Sequence, residues 1–172
     1  MRAAILLGAF AGLRLAETCG LRVDDVDYMR GIIYPQVQYP AEELKTEISR
    51  QPVPIPRSLA LELAAQVQKH GDLTGYSTWA LERAVRTARA TVEGLSDGFR
   101  YHDLRHFFAS LLIASGCDIK TVQARLRHGS AKTTLDTYGH LWPDKDESTR
   151  AAIEAVLRTY TGTRENGGLC AD

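Results

Sequence analysis

Three prolines at alternate positions, Pro52, Pro54 and Pro56, constrain this chain more than any other feature. Each lacks an amide donor, and together they forbid a helix across residues 51–56. Just upstream, Gly31–Val37 is rich in β-branched and aromatic residues, with Pro35 marking an edge position, and Leu44–Ile48 and Gln51–Ile55 are shorter strand candidates separated by Ser49 and Arg50. Helical periodicity surrounds this stretch. Residues 1–10 and 14–19 form two helical pieces joined at Ala11-Gly12, and further helices are expected from Arg57 or Ser58 to Lys69 and from Thr78 to Val92. The clearest helix runs from Tyr101 to Ser115, with Leu104, Phe108, Leu111 and Leu112 as its buried stripe and Gly116 as its stop. Asp118 caps a helix that buries Ile119, Val122 and Leu126, Ser130 caps another towards Tyr138, and Pro143 precedes a last amphipathic helix over 147–159. The expected class is α+β, mainly α: a helical bundle with a small three-stranded antiparallel sheet inserted near the N-terminus.

The chain has 172 residues, enough for one domain that buries a core without disulfides or a structural metal. Cys19, Cys117 and Cys170 are far apart and show no C-x-x-C pair, which fits a reducing cytosol. The apolar run Ala3–Leu13 has the length of a secretory core segment but is too short to span a bilayer, so neither export nor a membrane is expected. Charge is neutral overall, with 21 Lys+Arg against 21 Asp+Glu, which by itself argues against a phosphate-binding protein. The distribution is uneven, however: residues 78–132 carry nine basic and five acidic side chains, and residues 133–172 carry four and seven. Arg83, Arg86 and Arg89 recur every third position, which brings them near one helix face.

Four local patterns follow in order along the chain. They are Gly12-Leu13-Arg14-Leu15-Ala16-Glu17, Lys45-Thr46-Glu47, His102-x-x-Arg105, and Leu126-Arg127-His128 followed by Thr133-Thr134-Leu135-Asp136-Thr137-Tyr138-Gly139-His140. Each is weak alone. Arg14 could be a helix-end cation, Lys45 a charge guarding a sheet edge, and Tyr138 a half-buried aromatic. His102 and His106 have the spacing of a helical metal pair, but no glutamate follows His102 as in H-E-x-x-H. Taken together, the four patterns resemble the catalytic domain of the tyrosine recombinases, the phage integrase family, and in particular integrases of actinobacterial phages and prophages. The resemblance covers residues 1–159, with 160–172 left as a polar tail.

That resemblance implies a site-specific DNA recombinase that cleaves and rejoins strands through a 3′-phosphotyrosine, without metal, ATP or other cofactor. Tyr138 matches the nucleophile, a phenol that ionises near pH ~10 and so needs help losing its proton. Arg14 and Arg105 match the two arginines that hold the phosphate oxygens as charge builds up. Lys45 matches the lysine that protonates the departing 5′-oxygen, and His102 is expected to take the tyrosine proton. His128 matches the second histidine, and Glu17 the supporting acidic position. Arg83, Arg86, Arg89, Arg127 and Lys132 are the expected DNA-binding cations. The implied partner is double-stranded DNA, with a homo-tetramer assembled through the C-terminal helix and a monomer without DNA; Ile153, Val156 and Leu157 would form that helix's buried face.

Three features depart from the family pattern. The sequence opens almost at the Gly12-Leu13-Arg14 motif, so the family's usual N-terminal DNA-clamping domain is expected to be absent, the stretch His70–Trp79 is short, and Arg127 stands where glycine is common. They support an alternative reading, a truncated prophage-integrase remnant that binds DNA weakly without recombining. A type IB topoisomerase shares the chemistry but fits the Thr133–His140 segment less well.

Overall fold

The structure is a computed structural model and describes residues 1–142 and 146–165. The chain divides into two compact units, residues 1–141 and the segment from Trp142 onward. Eight α-helices are described: α1 (Arg2–Ala11), α2 (Leu15–Gly20), α3 (Arg57–His70), α4 (Thr78–Arg89), α5 (Tyr101–Ala114), α6 (Ile119–Leu126), α7 (Ala131–Tyr138) and, in the second unit, α8 (Asp146–Glu165). Among the described residues no helix is long and apolar enough to cross a membrane.

The run from Ala3 to Leu13 proves to be the centre of the first unit. Leu7, Ala11 and Leu13 pack with Leu21, Val26, Ile33, Val53 and Leu63 on one side, and Ala4 and Ala9 pack with Leu81, Val85, Tyr101 and Leu104 on the other. A helix buried on both sides has no need of a polar face, which is why this run looked like a targeting segment. Its small residues let α5 approach closely: a Cβ on Gly8 would stand 3.0 Å from Leu104 Cβ. The Tyr101 hydroxyl enters this contact, donating to the Ala4 carbonyl (2.7 Å) and lying 2.8 Å from Thr18 Oγ1.

The sheet is divided more finely than the sequence indicates. β1 (Val26–Asp27), β2 (Ile32–Ile33) and β5 (Val53–Pro54) form a three-stranded antiparallel sheet in the order β1-β2-β5, while β3 (Val37–Gln38) and β4 (Glu42–Glu43) form a separate antiparallel hairpin. The expected strand Gly31–Val37 is therefore two strands, and β2 ends before Pro35, which cannot donate to a ladder. The expected strand Leu44–Ile48 is not formed. Thr46 caps a 3₁₀ turn over Glu47–Arg50 by accepting from the Ser49 amide, so its side chain competes with the ladder for the backbone.

Helix ends follow the sequence closely. Asp118 accepts from the Thr121 amide (2.9 Å) and Ser130 from the Thr133 amide (3.3 Å), as N-caps do. The last helix continues to Glu165, six residues past the expected end, and the break expected at Pro143 lies outside the described residues. Ile153, Val156 and Leu157, expected to be buried against a neighbouring protomer, are 55%, 61% and 53% exposed in the single chain.

Candidate active site

Gly12 ends α1 in the left-handed region (φ 63°), and a Cβ there would lie 2.5 Å from the Phe108 ring, so only glycine fits. The turn delivers Arg14 to the N-cap of α2. Glu17, three residues on, accepts from the Arg14 amide and from Arg14 Nη1, both at 2.8 Å. This is the carboxylate half of a capping box. Glu17 is 2% exposed and also accepts from Arg127 Nη2 at 2.5 Å. Burial pushes its carboxyl up, but Arg127 and then Arg14 pull it down further, and the result lies below the ordinary value.

Arg105, on the first turn and a half of α5, is 2% exposed. Its terminal nitrogens donate to the carbonyls of Gly12 and Leu126, tying the end of α1 to the end of α6. A guanidinium has five donors, so these two bonds leave three N–H groups. Burial and then Arg14 lower its pKa, against Glu17, to about 9, which leaves it a cation at neutral pH. Three guanidiniums, Arg14, Arg105 and Arg127, around the single Glu17 carboxylate leave this cluster with a net charge of +2. Such a cluster favours an oxyanion.

Tyr138 closes α7, and its hydroxyl lies 2.8 Å from His106 Nδ1. The His128 ring lies nearly parallel to the Tyr138 ring (6°, centroids 6.5 Å) and is fixed by Thr134 Oγ1 at 3.0 Å from Nδ1. His102 stands edge-on to His106 at 4.6 Å. Burial, then Arg105, Arg14 and His102, push His128 down to about 4, so its ring is neutral at pH 7. His102 is lowered by partial burial and then by His106 and Arg105. Burial raises the Tyr138 phenol and Arg105 pulls it part of the way back. Tyr138 as a whole is 4% exposed.

The structure thus gathers Arg14, Glu17, Arg105, His102, His128 and Tyr138 at one place, where α1, α2, α5, α6 and α7 meet. Apart from Arg127, the remaining candidates make no hydrogen bond or ion pair to that cluster among the described residues. Lys45 is exposed just before the 46–50 turn, and its side chain makes no hydrogen bond or ion pair among the described residues. On α4, Arg83 lies over the Trp79 ring (5.3 Å), Arg86 is exposed, and Arg89 donates to the Phe99 carbonyl (2.9 Å). Lys132 pairs with Asp136 across one turn of α7 at 2.6 Å.

Two expectations are corrected. Arg127, expected to face DNA, is 1% exposed and ion-paired with Glu17, because a left-handed residue after α6 (φ 51°) turns its side chain inward. The tyrosine hydroxyl meets His106 where His102 was expected. Both rings lie on one face of α5, and His106, one turn further along, is the one that reaches α7. The spacing of four from His102 is the sequence signal that places His106 on the same face. Among the described residues no group of three or more His, Cys, Asp or Glu is placed to hold a metal ion.

Residues 1–144 match the phage integrase family. The chain is 33% identical to the tyrosine recombinase XerA of Thermococcus kodakarensis over 143 residues, 77% of this chain and 48% of that protein. It therefore spans about half the length of such relatives. The fold resembles that of the Tn1549 transposon integrase in complex with transposon right end DNA (TM-score 0.68, 21% identity, 90% of this chain and 58% of that one). It also resembles the catalytic domain of bacteriophage HP1 integrase (TM-score 0.60, 26% identity, 87% and 79%).

Proposed function

The chain belongs to the phage integrase family, the tyrosine recombinases, and from that membership we propose that it carries the catalytic domain of a site-specific DNA recombinase. The observation that supports this most directly is the Tyr138 hydroxyl on His106 beside the Arg14–Arg105 pair, with His128 alongside. In the first step the Tyr138 oxygen bonds to phosphorus and the bond from phosphorus to the 5′-oxygen breaks. The product is a 3′-phosphotyrosine and a free 5′-hydroxyl. The phenolic proton passes to His106 Nδ1, and His102 lies behind that ring. Lys45 gives its proton to the departing 5′-oxygen, which would otherwise leave as a poor alkoxide. Arg14 and Arg105 hold the non-bridging oxygens, and loss of one such donor costs roughly 10²–10³ in rate. His128, neutral at pH 7, donates to the same phosphate from Nε2 while Thr134 holds Nδ1. Rejoining runs the step backwards with a second 5′-hydroxyl.

Double-stranded DNA is the proposed substrate, held outside the site by Arg83, Arg86, Arg89 and Lys132, and the proposed compartment is the cytoplasm. The Thr133–His140 segment is the reason to place the chain with integrases of actinobacterial phages and prophages. On DNA the proposed assembly is a homo-tetramer joined through α8, whose Ile153, Val156 and Tyr160 are 55%, 61% and 77% exposed. Incubation at low salt with nicked duplexes that trap the cleaved strand tests the reaction. An SDS-resistant protein-DNA adduct is expected with the natural chain and none with Tyr138→Phe. DNA binding without an adduct would favour the catalytically silent remnant.

A further inference from the structure

Arg127 is an expensive residue in its position. Its backbone is left-handed, where glycine is preferred, its guanidinium is 1% exposed, and its Nε is buried without a partner. What it gains is a connection between three segments. Nη2 donates to Glu17 Oε2 (2.5 Å), which holds Arg14; Nη1 donates to the Ser49 carbonyl (2.8 Å), 78 residues away; and its own carbonyl accepts from Arg14 Nη2 (3.3 Å). His128 is the next residue along the chain.

The Ser49 carbonyl is where this bears on chemistry. Lys45 sits between two restrained carbonyls. Arg50 Nη2 donates to the Leu44 carbonyl (3.1 Å) on one side, and the Ser49 amide closes the turn onto the Thr46 carbonyl (3.0 Å) on the other. Those bonds are local and move with the segment. Of residues 44–50 only Leu44 is buried, so apolar packing holds the turn weakly. The bond from Arg127 anchors it to the α6–α7 side of the site.

Building on the recombinase reading, we propose that Arg127 is a positioning residue for the general acid: by joining the Glu17 carboxylate to the Ser49 carbonyl, it fixes the turn that carries Lys45 relative to Arg14 and His128. The test uses the full chain with Arg127→Gly, which suits the left-handed backbone, and Arg127→Met, which keeps an apolar stem and offers no donor to either partner. The methionine variant carries the test if the glycine variant does not fold. Amide exchange over residues 46–51 is expected to quicken roughly tenfold or more, the loss of one charge-assisted hydrogen bond, while α1 and α5 keep their protection. Unchanged exchange in the turn would overturn the proposal.

The second readout compares adduct formation on a pool of nicked duplexes with randomised flanks, carrying either oxygen or a single bridging sulfur at the 5′ position. A thiolate leaves without a proton, so only the oxygen substrate needs the general acid. The variant is expected to lose about 10²-fold on oxygen, as a small misplacement of a reacting group does, and to match the natural chain on sulfur, the pattern also expected of Lys45→Ala. Equal losses on both substrates would overturn the positioning role. If the natural chain forms no adduct on either DNA, the recombinase reading fails, and amide exchange still decides whether Arg127 anchors the turn.

Discussion

At the scale of single residues, Glu17 carries the most electrostatic weight. It is a buried carboxylate between two arginines, and among the described residues Arg127 has no other acidic partner. Glu17→Gln keeps the shape and removes the charge, leaving Arg127 buried beside a neutral amide. The expected cost is roughly 3–5 kcal/mol, read as a lower urea midpoint with an unchanged slope. His128 adds a pH dependence. Its folded pKa, about 4, lies below the ordinary histidine value, so between about pH 4 and about pH 6.5 the unfolded chain binds the extra proton. Stability from this group is complete above that window and falls as the solution is acidified through it. Urea midpoints measured from pH 4.5 to 7.5 are expected to rise with pH, and the rise should flatten in His128→Gln. Glu17, with a lowered pKa, adds its own loss only at more acid pH. Arg14, Arg105, His128 and Tyr138 are legible from sequence because each sits in a local motif. His106 and the inward turn of Arg127 are not, since both depend on contacts across 32 and 110 residues.

Among elements, the contact between α1 and α5 decides how the arginines meet. Arg105 rises from α5 to the carbonyl of Gly12, and that carbonyl faces it because Gly12 adopts a positive φ. Gly12→Ala would strain the backbone and drive a methyl into Phe108. A loss of about 1–3 kcal/mol is expected from the overpacking, with a larger relative loss of adduct formation, because Arg105 loses its anchor. Thermal unfolding and the adduct assay together separate the two effects. The helices were readable in advance because a 3.6-residue period recurs over two or more turns and their caps are local chemistry. The strands were not. Each is two residues long, too short for an alternating pattern, and their pairing brings Ile33 to Val53 across an intervening hairpin.

For the molecule as a whole, the division after Leu141 separates the unit that holds every proposed catalytic residue from α8. A chain ending at residue 141 is expected to keep the cooperative unfolding of the first unit, since its two apolar clusters lie wholly within residues 3–104. Under the proposed assembly it should bind DNA as separate protomers where the full chain binds as tetramers; sedimentation on duplex DNA checks this, and equal assembly would exclude α8 as the link. By itself the sequence determined the helices, their caps, the place of the sheet and which residues are proposed to react. These rest on periodicity, proline and glycine geometry and side-chain chemistry, all of which act over a few residues. Tertiary structure alone decided which histidine meets Tyr138, that Arg127 turns inward to Glu17, and how the Lys45 turn is held. Those outcomes depend on which distant carbonyls and carboxylates arrive in the same low-dielectric space, where a charge must find its partner or remain unpaired at high cost.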